Sequence, residues 1–284
     1  MPLWSERDRM RAHEREPALQ RASVWPAPTD GHPRDPRPPA SFCYLLDVDT
    51  DLAEEFDPRM RMVVRQIATV PVVDAPVGEC RLWARFGNLD SGLGLLVLDG
   101  VIAVNVHVGD RTATELVGAG DLLQPWGDSE DDLIPRESSW HVLVPARLAL
   151  LDAPFAERVR PWPQLTYALL RRSARRARDL GVQRAITSHP RLEVRLALVL
   201  WHLATRWGRV EPGGIHLRLP LTHRLLGQLV GAERPSVSHA LARLVDGGLV
   251  TGGGADWHLH GTGEENFEWL VDHHLQRDVL RSRA

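Results

Sequence analysis

The sequence predicts an α+β fold in which an antiparallel β-sandwich or barrel precedes a mainly helical half. Between residues 70 and 152, short apolar runs alternate with turn signals such as Asp99-Gly100 and Gly109-Asp110, a pattern typical of antiparallel β domains. After Pro163 this alternation of short apolar runs and turn residues stops, and apolar residues recur at helical spacing. The length of 284 residues favours two domains.

Composition excludes several classes of protein. The apolar fraction of 43% and charged fraction of 25% are ordinary for a globular chain. The longest apolar run, residues 93–104, contains Asp99 and is too short to span a membrane, and the N-terminus lacks an apolar signal core. We therefore expect a cytoplasmic protein with no membrane partner. Two cysteines, Cys43 and Cys80, are too few for a disulfide scaffold or a four-thiolate cluster.

No motif of catalysis is present: the chain has no phosphate-binding loop, no Gly-x-Ser-x-Gly and no His-Glu-x-x-His. We expect neither enzymatic activity nor a cofactor. The triplet Asp272-His273-His274 is polar, but neighbouring helical residues point about 100° apart, so we predict no metal site there. Asp128, Glu130 and Asp132 lack the glycine and closing glutamate of a calcium loop.

Charge is distributed unevenly along the chain. Residues 1–161 carry 17 Arg against 26 carboxylates, a net charge of -9, whereas residues 162–261 carry 14 Arg against six, a net charge of +8. A basic half attached to an acidic one is typical of a nucleic-acid-binding domain with a partner domain. The alternative is a solvated Arg-rich helix, because five of these charges are Arg171, Arg172, Arg175, Arg176 and Arg178.

The first half begins with a proline-rich arm, residues 1–40, which is too polar to offset its ordering entropy. Residues 42–67 are loosely helical, and their predicted inward positions are Leu45, Leu46, Leu52, Phe56 and Met60. The predicted strands are Arg81–Phe86, Gly94–Leu98, Ile102–Val108, Ala113–Val117, Trp140–Val144 and Leu148–Leu151.

Two helices follow. Residues 164–186 form a predicted helix with a 4-3-4-3 seam suited to packing along a partner helix, at Thr166, Leu170, Ser173, Ala177 and Leu180. The alternative is that this helix lies on its own barrel. Pro190 opens a second helix that runs to Trp207, with apolar residues on one face at Leu192, Leu196, Val199, Leu200 and Leu203.

Residues 219–260 predict a winged helix-turn-helix. Thr222 is suited to cap a short helix that ends at Gly231, and Pro235 lies in the first turn of a second helix. That second helix has one apolar face, formed by Val237, Ala240, Leu241 and Leu244. Two short strands, Leu249–Val250 and Trp257–His260, flank the loop Thr251–Asp256. Helix, glycine turn, helix and hairpin in this order are the elements of a winged helix-turn-helix.

In such a fold the second helix enters the major groove of double-stranded DNA. We expect Arg234, Ser236, His239 and Arg243 to lie at base edges. Additional predicted DNA contacts, including contacts to phosphates, are Thr222, Arg224, Gln228 and Ser238.

The chain resembles the cyclic-AMP-receptor/FNR (Crp/Fnr) superfamily of bacterial transcription regulators. The winged region follows that family's spacing over some thirty residues, at Leu221-Thr222, Leu225, Leu229, Gly231, Arg234, Val237, Leu241, Leu244 and Gly248-Leu249. Residues 98–101 and 118–123 also match the turns of the family's sensor domain. The resemblance implies an N-terminal antiparallel β jelly roll (cyclic-nucleotide-binding-like), a long dimerisation helix and a C-terminal winged helix-turn-helix. The resemblance covers residues 41–261 and implies a sensor barrel at 41–161, a dimerisation helix at 162–188 and a DNA-binding domain at 189–261. The Pro-rich arm 1–40 and a predicted helical tail, 262–284, lie outside it.

The resemblance also implies partners: double-stranded DNA, a second copy bound through residues 162–188, and RNA polymerase. The sequence departs from the family where the cyclic phosphate is held, because Asp128, Glu130, Asp131 and Asp132 follow Leu123. Alignment on Trp140 places Glu137 where the phosphate-binding arginine belongs, and strand alternation points Arg136 away. We therefore expect a regulator that does not respond to cyclic AMP.

Candidate residues for an unknown small-molecule effector are Trp126, Trp140 and Arg136, and the alternative for both tryptophans is core packing. A different class of function, a protein-binding adaptor that keeps the regulator fold without specific DNA binding, also fits the sequence.

Overall fold

The computed structural model describes residues 41–80, 92–124, 133–263 and 265. The predicted arm, the strand Arg81–Phe86, Trp126, the acidic residues 128–132 and nearly all of the predicted tail lie outside these ranges. Within the described part of the chain, no helix has both the length and the apolarity needed to cross a membrane.

The first half is a seven-stranded antiparallel β domain, called the barrel below, with short helices beside it. Its strands are Ser41–Tyr44 (β1), Thr69–Ala75 (β2), Gly78–Cys80 (β3), Gly94–Val108 (β4), Arg111–Gly118 (β5), Leu122–Leu123 (β6) and Arg136–Leu151 (β7). Its helices are Leu45–Val48 (α1), Thr50–Glu54 (α2), Pro58–Ile67 (α3) and Ala153–Val159 (α4). The strands pair antiparallel in the order β1-β2-β7-β4-β5, with β3 on β7 and β6 on β4. The predicted antiparallel β fold is confirmed.

The second half combines helices with a small sheet. Its helices are Pro163–Thr187 (α5), Leu192–Trp207 (α6), His223–Val230 (α7) and Arg234–Asp246 (α8), and its strands are Gly208–Glu211 (β8), Gly214–Leu217 (β9), Val250–Gly253 (β10) and Asp256–His260 (β11). The strands form an antiparallel sheet in the order β10-β11-β9-β8. The sequence predicts only the wing hairpin after Pro163, and this expectation is wrong. β8 and β9 are two further strands, which lie between α6 and α7 and extend the hairpin into a four-stranded sheet.

At two positions where the sequence predicts a break between strands of the barrel, the strand continues. β4 runs through Asp99 and Gly100 with irregular register against β7, because Gly100 takes a positive φ of 89° and a Cβ there would lie 2.4 Å from the carbonyl oxygen of Pro145. The glycine marks a bulge in a long strand and not a hairpin. β7 likewise joins the two predicted strands Trp140–Val144 and Leu148–Leu151 into one.

The predicted inward residues of the first half are mostly confirmed. Leu45, Leu46, Leu52 and Phe56 are buried, whereas Met60 is only partly buried. They share a core with barrel residues and with three residues of α5, namely Leu165, Ala168 and Leu169. One face of α5 therefore packs on its own barrel, as the alternative proposed, while the seam residues Leu170 and Leu180 lie at other positions and are 62% and 40% exposed.

Arginines of α5 tie this helix to the barrel half. Arg172 is only 7% exposed, donates to Asp49 Oδ1 at 2.6 Å and donates to the carbonyl oxygen of Gly120 at 3.1 Å. Arg176 forms a two-point hydrogen bond with Glu115, at 2.6 and 2.9 Å. Burial disfavours the charged form of Arg176, but the hydrogen bond and charge of Glu115 outweigh it and raise the pKa of the guanidinium. The predicted solvated arginine face is thus wrong for these two residues.

Replacing Arg172 with Met should lower the free energy of unfolding by about 3–5 kcal/mol, since the nearly buried Asp49 carboxylate loses its partner. Arg171→Met is the matched control, because Arg171 pairs with Glu55 at a more exposed position of the same helix and should contribute about 0–1 kcal/mol. Urea unfolding at one fixed protein concentration measures both. Equal losses in the two variants would contradict a special role for Arg172.

Candidate nucleic-acid interface

The turn between α7 and α8 is built as the sequence predicts. Thr222 caps α7, its side chain accepting the amide of Leu225 at 3.1 Å. Gly231 ends the helix in the left-handed conformation, with φ 66° and ψ 45°. α8 then begins at Arg234 with a proline in its first turn, where the missing N–H costs no hydrogen bond.

Close approach across the turn depends on a second glycine. The amide of Ala232 donates to the carbonyl oxygen of Gly227 at 2.8 Å. A Cβ on Gly227 would lie 2.4 Å from the carbonyl oxygen of Ala232. Gly227 therefore lets the chain fold back tightly onto α7, which sets the angle at which α8 leaves the turn.

α8 has one buried and one exposed face. Val237, Ala240, Leu241 and Leu244 are all buried, as predicted. The predicted DNA-facing residues Arg234, Ser236, His239 and Arg243 are exposed. The helix thus stands on an apolar base and presents polar side chains outward.

Two residues of the predicted set already have partners within the chain. Arg243 forms an ion pair with Glu193 of α6. Ser238 donates to the carbonyl oxygen of Arg234 at 3.2 Å, and its Oγ lies 2.8 Å from Nδ1 of His223. The remaining predicted residues belong to α7 and its N-cap: Thr222 and Arg224 are exposed, and Gln228 is half-buried.

The sequence analysis missed a residue that holds the turn. Arg195 of α6 donates from Nη1 to the carbonyl oxygen of Val230 at 2.8 Å. A guanidinium at this position satisfies a carbonyl at the end of α7 and complements the negative end of the helix dipole. No local pattern identifies Arg195, because its partner lies 35 residues away.

The wing is shorter at its tip than predicted. β10 and β11 pair from Val250↔Leu259 to Gly253↔Asp256, so the predicted six-residue loop is largely strand. Trp257 is buried, and its Nε1 donates to the carbonyl oxygen of Gly254 at 3.1 Å. That same carbonyl accepts the amide of Leu221, which joins the wing to the segment that leads into α7.

The half of the chain that contains the winged helix-turn-helix contacts the barrel in several ways. Val101, Ala103 and Leu116 of the barrel share a core with residues of α6, α7 and α8. Gln183 of α5 donates to the carbonyl oxygen of Thr114 at 2.6 Å and to that of Leu229 at 3.4 Å. At the surface, Arg111 pairs with Glu233, the residue that precedes α8, at 3.3 Å.

The candidate effector residues separate on β7. Trp140 is buried in the barrel core, as expected from core packing. Arg136 lies four residues before Trp140 and so shares its face, whereas Glu137 lies on the opposite face and is exposed. The expectation that Glu137 takes the inward position and Arg136 points away is wrong, because side-chain alternation counted from Trp140 gives the reverse.

Together, the barrel, the long helix and the exposed α8 define a regulator with a β-barrel and a winged helix-turn-helix. The profile of the Crp-like helix-turn-helix domain matches residues 194–260. A relative from Mycobacterium tuberculosis, the CRP-like cAMP-activated global transcriptional regulator, is 32% identical over 161 residues, covering 53% of this chain and 69% of the relative. The chain belongs to the Crp/Fnr superfamily of transcriptional regulators.

Solved structures show the same fold. A cyclic nucleotide-binding domain containing protein from Listeria monocytogenes aligns with a TM-score of 0.56 at 16% identity, over 75% of this chain and 97% of that one. A CooA mutant from Carboxydothermus hydrogenoformans aligns with a TM-score of 0.54 at 17% identity, over 79% and 93%. The c-di-GMP responsive global regulator CLP from Xanthomonas campestris gives 0.53 at 18%, over 75% and 100%.

Gly227→Ala should destabilise the protein by about 1–3 kcal/mol, since its new methyl group meets a backbone carbonyl that cannot move without opening the turn. Gly231→Ala should cost about 1–2 kcal/mol, because of the left-handed conformation alone. Gly231→Asn is the control and should cost less than Gly231→Ala, because Asn tolerates this conformation. Chemical unfolding measures all three, and an unperturbed Gly227→Ala variant would refute the tight-turn argument.

Proposed function

We propose that the chain acts as a homodimer whose two α8 helices read half-sites in successive major grooves, about 34 Å apart. The observation that carries this proposal is α8 itself. One face is buried, and the other exposes Arg234, Ser236 and His239 immediately after a fixed glycine turn. The N-terminal residues of a recognition helix are those nearest the base edges.

The eight predicted residues divide into four groups under this proposal. Arg234, Ser236 and His239 contact bases, whereas Arg224 and Gln228 of α7 contact phosphates together with Thr222, the N-cap of α7. Ser238 positions the start of α8 through its bonds to the backbone and to His223. Arg243 can contact DNA only if its ion pair with Glu193 breaks. If the pair persists, Arg243 instead holds α8 against α6.

The dimer interface proposed for the long helix is the exposed seam of α5. Leu170, Leu180 and Ala177 are exposed, while Leu165 and Leu169 on the other side are buried against the barrel. Small residues along the seam allow two helix backbones to approach closely. Two copies of α5 packed along this seam would cover the exposed leucines and fix the spacing of the two DNA-reading halves.

The input proposed for the barrel is not cyclic AMP. Four carboxylates between Asp128 and Asp132 replace the family's polar phosphate-binding segment, and their charge opposes a phosphodiester. Arg136, which is half-buried on the same face of β7 as Trp140, stays the candidate contact for a different effector. A change in the barrel would reach α8 through Gln183 and the Arg111–Glu233 pair.

Selection of sheared genomic DNA by the purified protein at physiological salt should enrich a two-fold symmetric site. On that site Arg234→Ala should cost about 1–3 kcal/mol of binding free energy, and affinity should fall steeply with salt as counterions are released. Arg160→Ala, which removes an equal charge from an exposed position outside α7 and α8, is the matched control and should leave affinity unchanged. Added cyclic AMP should not change the binding midpoint.

Two outcomes would contradict this proposal. Enrichment of no sequence, with no duplex binding at physiological salt even when metabolite extracts are added, would favour the protein-binding adaptor. A tighter midpoint in the presence of cyclic AMP would retain the regulator and refute the claim about its input.

Replacing both Leu170 and Leu180 with Glu should convert the dimer to a monomer, because four carboxylates would face one another across the seam. Sedimentation velocity measures the change in mass. Leu133→Glu, which is 98% exposed outside the helix, is the control and should leave the dimer intact. Dimers that survive the double replacement would refute the seam.

A further inference from the structure

Three metal-ligating side chains meet on the outer face of the four-stranded sheet. Glu211 ends β8, His216 lies in β9 and His258 lies in β11. His258 is directly opposite His216, and its chain neighbours Trp257 and Leu259 are buried on the other face. One ligand atom from each of the three side chains lies within 4.8 Å of the others.

His216 is held in the orientation that a metal ligand needs. It is only 7% exposed, and its Nε2 lies 3.1 Å from Oδ1 of Asp256. Its Nδ1 lies 3.4 Å from Oε1 of Glu211. A carboxylate on one ring nitrogen fixes the tautomer and directs the other nitrogen at the ion, as in many zinc sites.

We propose that Glu211, His216 and His258 bind one divalent transition-metal ion of the zinc class, with Asp256 as the positioning residue. Two imidazoles and one carboxylate suit zinc, nickel or copper better than magnesium or calcium. Three protein ligands leave the fourth tetrahedral position to water. The site was not expected from the sequence, where the ligands are five and 42 residues apart and match no metal-binding motif.

The present arrangement of the two imidazole rings shows which side chains must rotate when a metal ion binds. The imidazoles of His216 and His258 are stacked, with centroids 4.2 Å apart and an interplanar angle of 9°. Stacked rings direct their lone pairs side by side, whereas tetrahedral ligands converge at about 3.3 Å from one another. His258 and Glu211 are both partly exposed, so rotation of these two side chains toward the buried His216 closes the site without moving the strands.

The bound ion would cross-link three strands. β8 follows directly on α6, and β11 is the inner strand of the wing. An ion held by β8, β9 and β11 therefore joins the wing to the helix that supports α8. Because the unfolded chain does not assemble these ligands, binding raises the unfolding temperature, and the rise grows with the logarithm of the free metal concentration once the site is saturated.

The test uses the untagged full chain after removal of metal with a chelator. Titration with Zn²⁺ against a chromophoric competitor should show one ion per chain at this site. Glu211→Gln and His258→Asn should each weaken it by roughly 100-fold, and Asp256→Asn by roughly 10–100-fold. Glu211→Gln keeps the shape of the side chain, so it reports on ligation even where a histidine variant unfolds.

Two controls separate this site from other histidines. His260→Asn alters the same strand, at a side chain that is hydrogen-bonded to Thr251. The double variant His273→Asn and His274→Asn replaces the two adjacent histidines near the C-terminus. Both should leave zinc affinity and the Zn²⁺-dependent rise in unfolding temperature unchanged. Failure of the wild-type chain to bind, retention of affinity in Glu211→Gln and His258→Asn, or loss confined to the tail variant would each overturn the proposal.

Discussion

The buried guanidinium of Arg172 is the constraint on which the arrangement of the chain depends. Its partner Asp49 also caps α2 by accepting the amide of Leu52 at 3.1 Å, so one carboxylate joins the start of a barrel helix to the middle of α5. A buried charge without a partner is far more costly than the pair contributes. The pair therefore excludes other rotations of α5 about its axis and determines which face, that of Leu170, is left outward.

The ion pairs between α5 and the barrel change how the uneven charge of the chain should be interpreted. The basic half carries its excess of arginine partly because Arg171, Arg172 and Arg176 neutralise carboxylates of the acidic half. A sum over sequence segments counts these charges as available to DNA, since it cannot see pairs that join positions 61 to 123 residues apart. The argument for nucleic acid rests more firmly on the geometry of α7 and α8 than on net charge.

The sequence predicts the helix-turn-helix closely because its signals are local: a capping threonine, a glycine with positive φ and an apolar face at helical spacing. It fails where the determinant is non-local. Asp99-Gly100 is a dipeptide typical of turns, and only its pairing with β7 shows that it lies at a bulge within a continuous strand. On β7 the residue that shares a face with buried Trp140 is Arg136 and not Glu137, because β7 is continuous from Arg136 and side chains alternate along it.

The core shared by Val101, Leu116 and the helices of the DNA-reading half has an evolutionary consequence. Substitutions in the barrel and in α6 or α7 meet in one packed volume, so their effects are not independent. A cavity opened on the barrel side can be refilled from the helical side. Loss-of-function changes in one half should therefore acquire second-site suppressors in the other, and the two halves should not be exchangeable between relatives as separate modules.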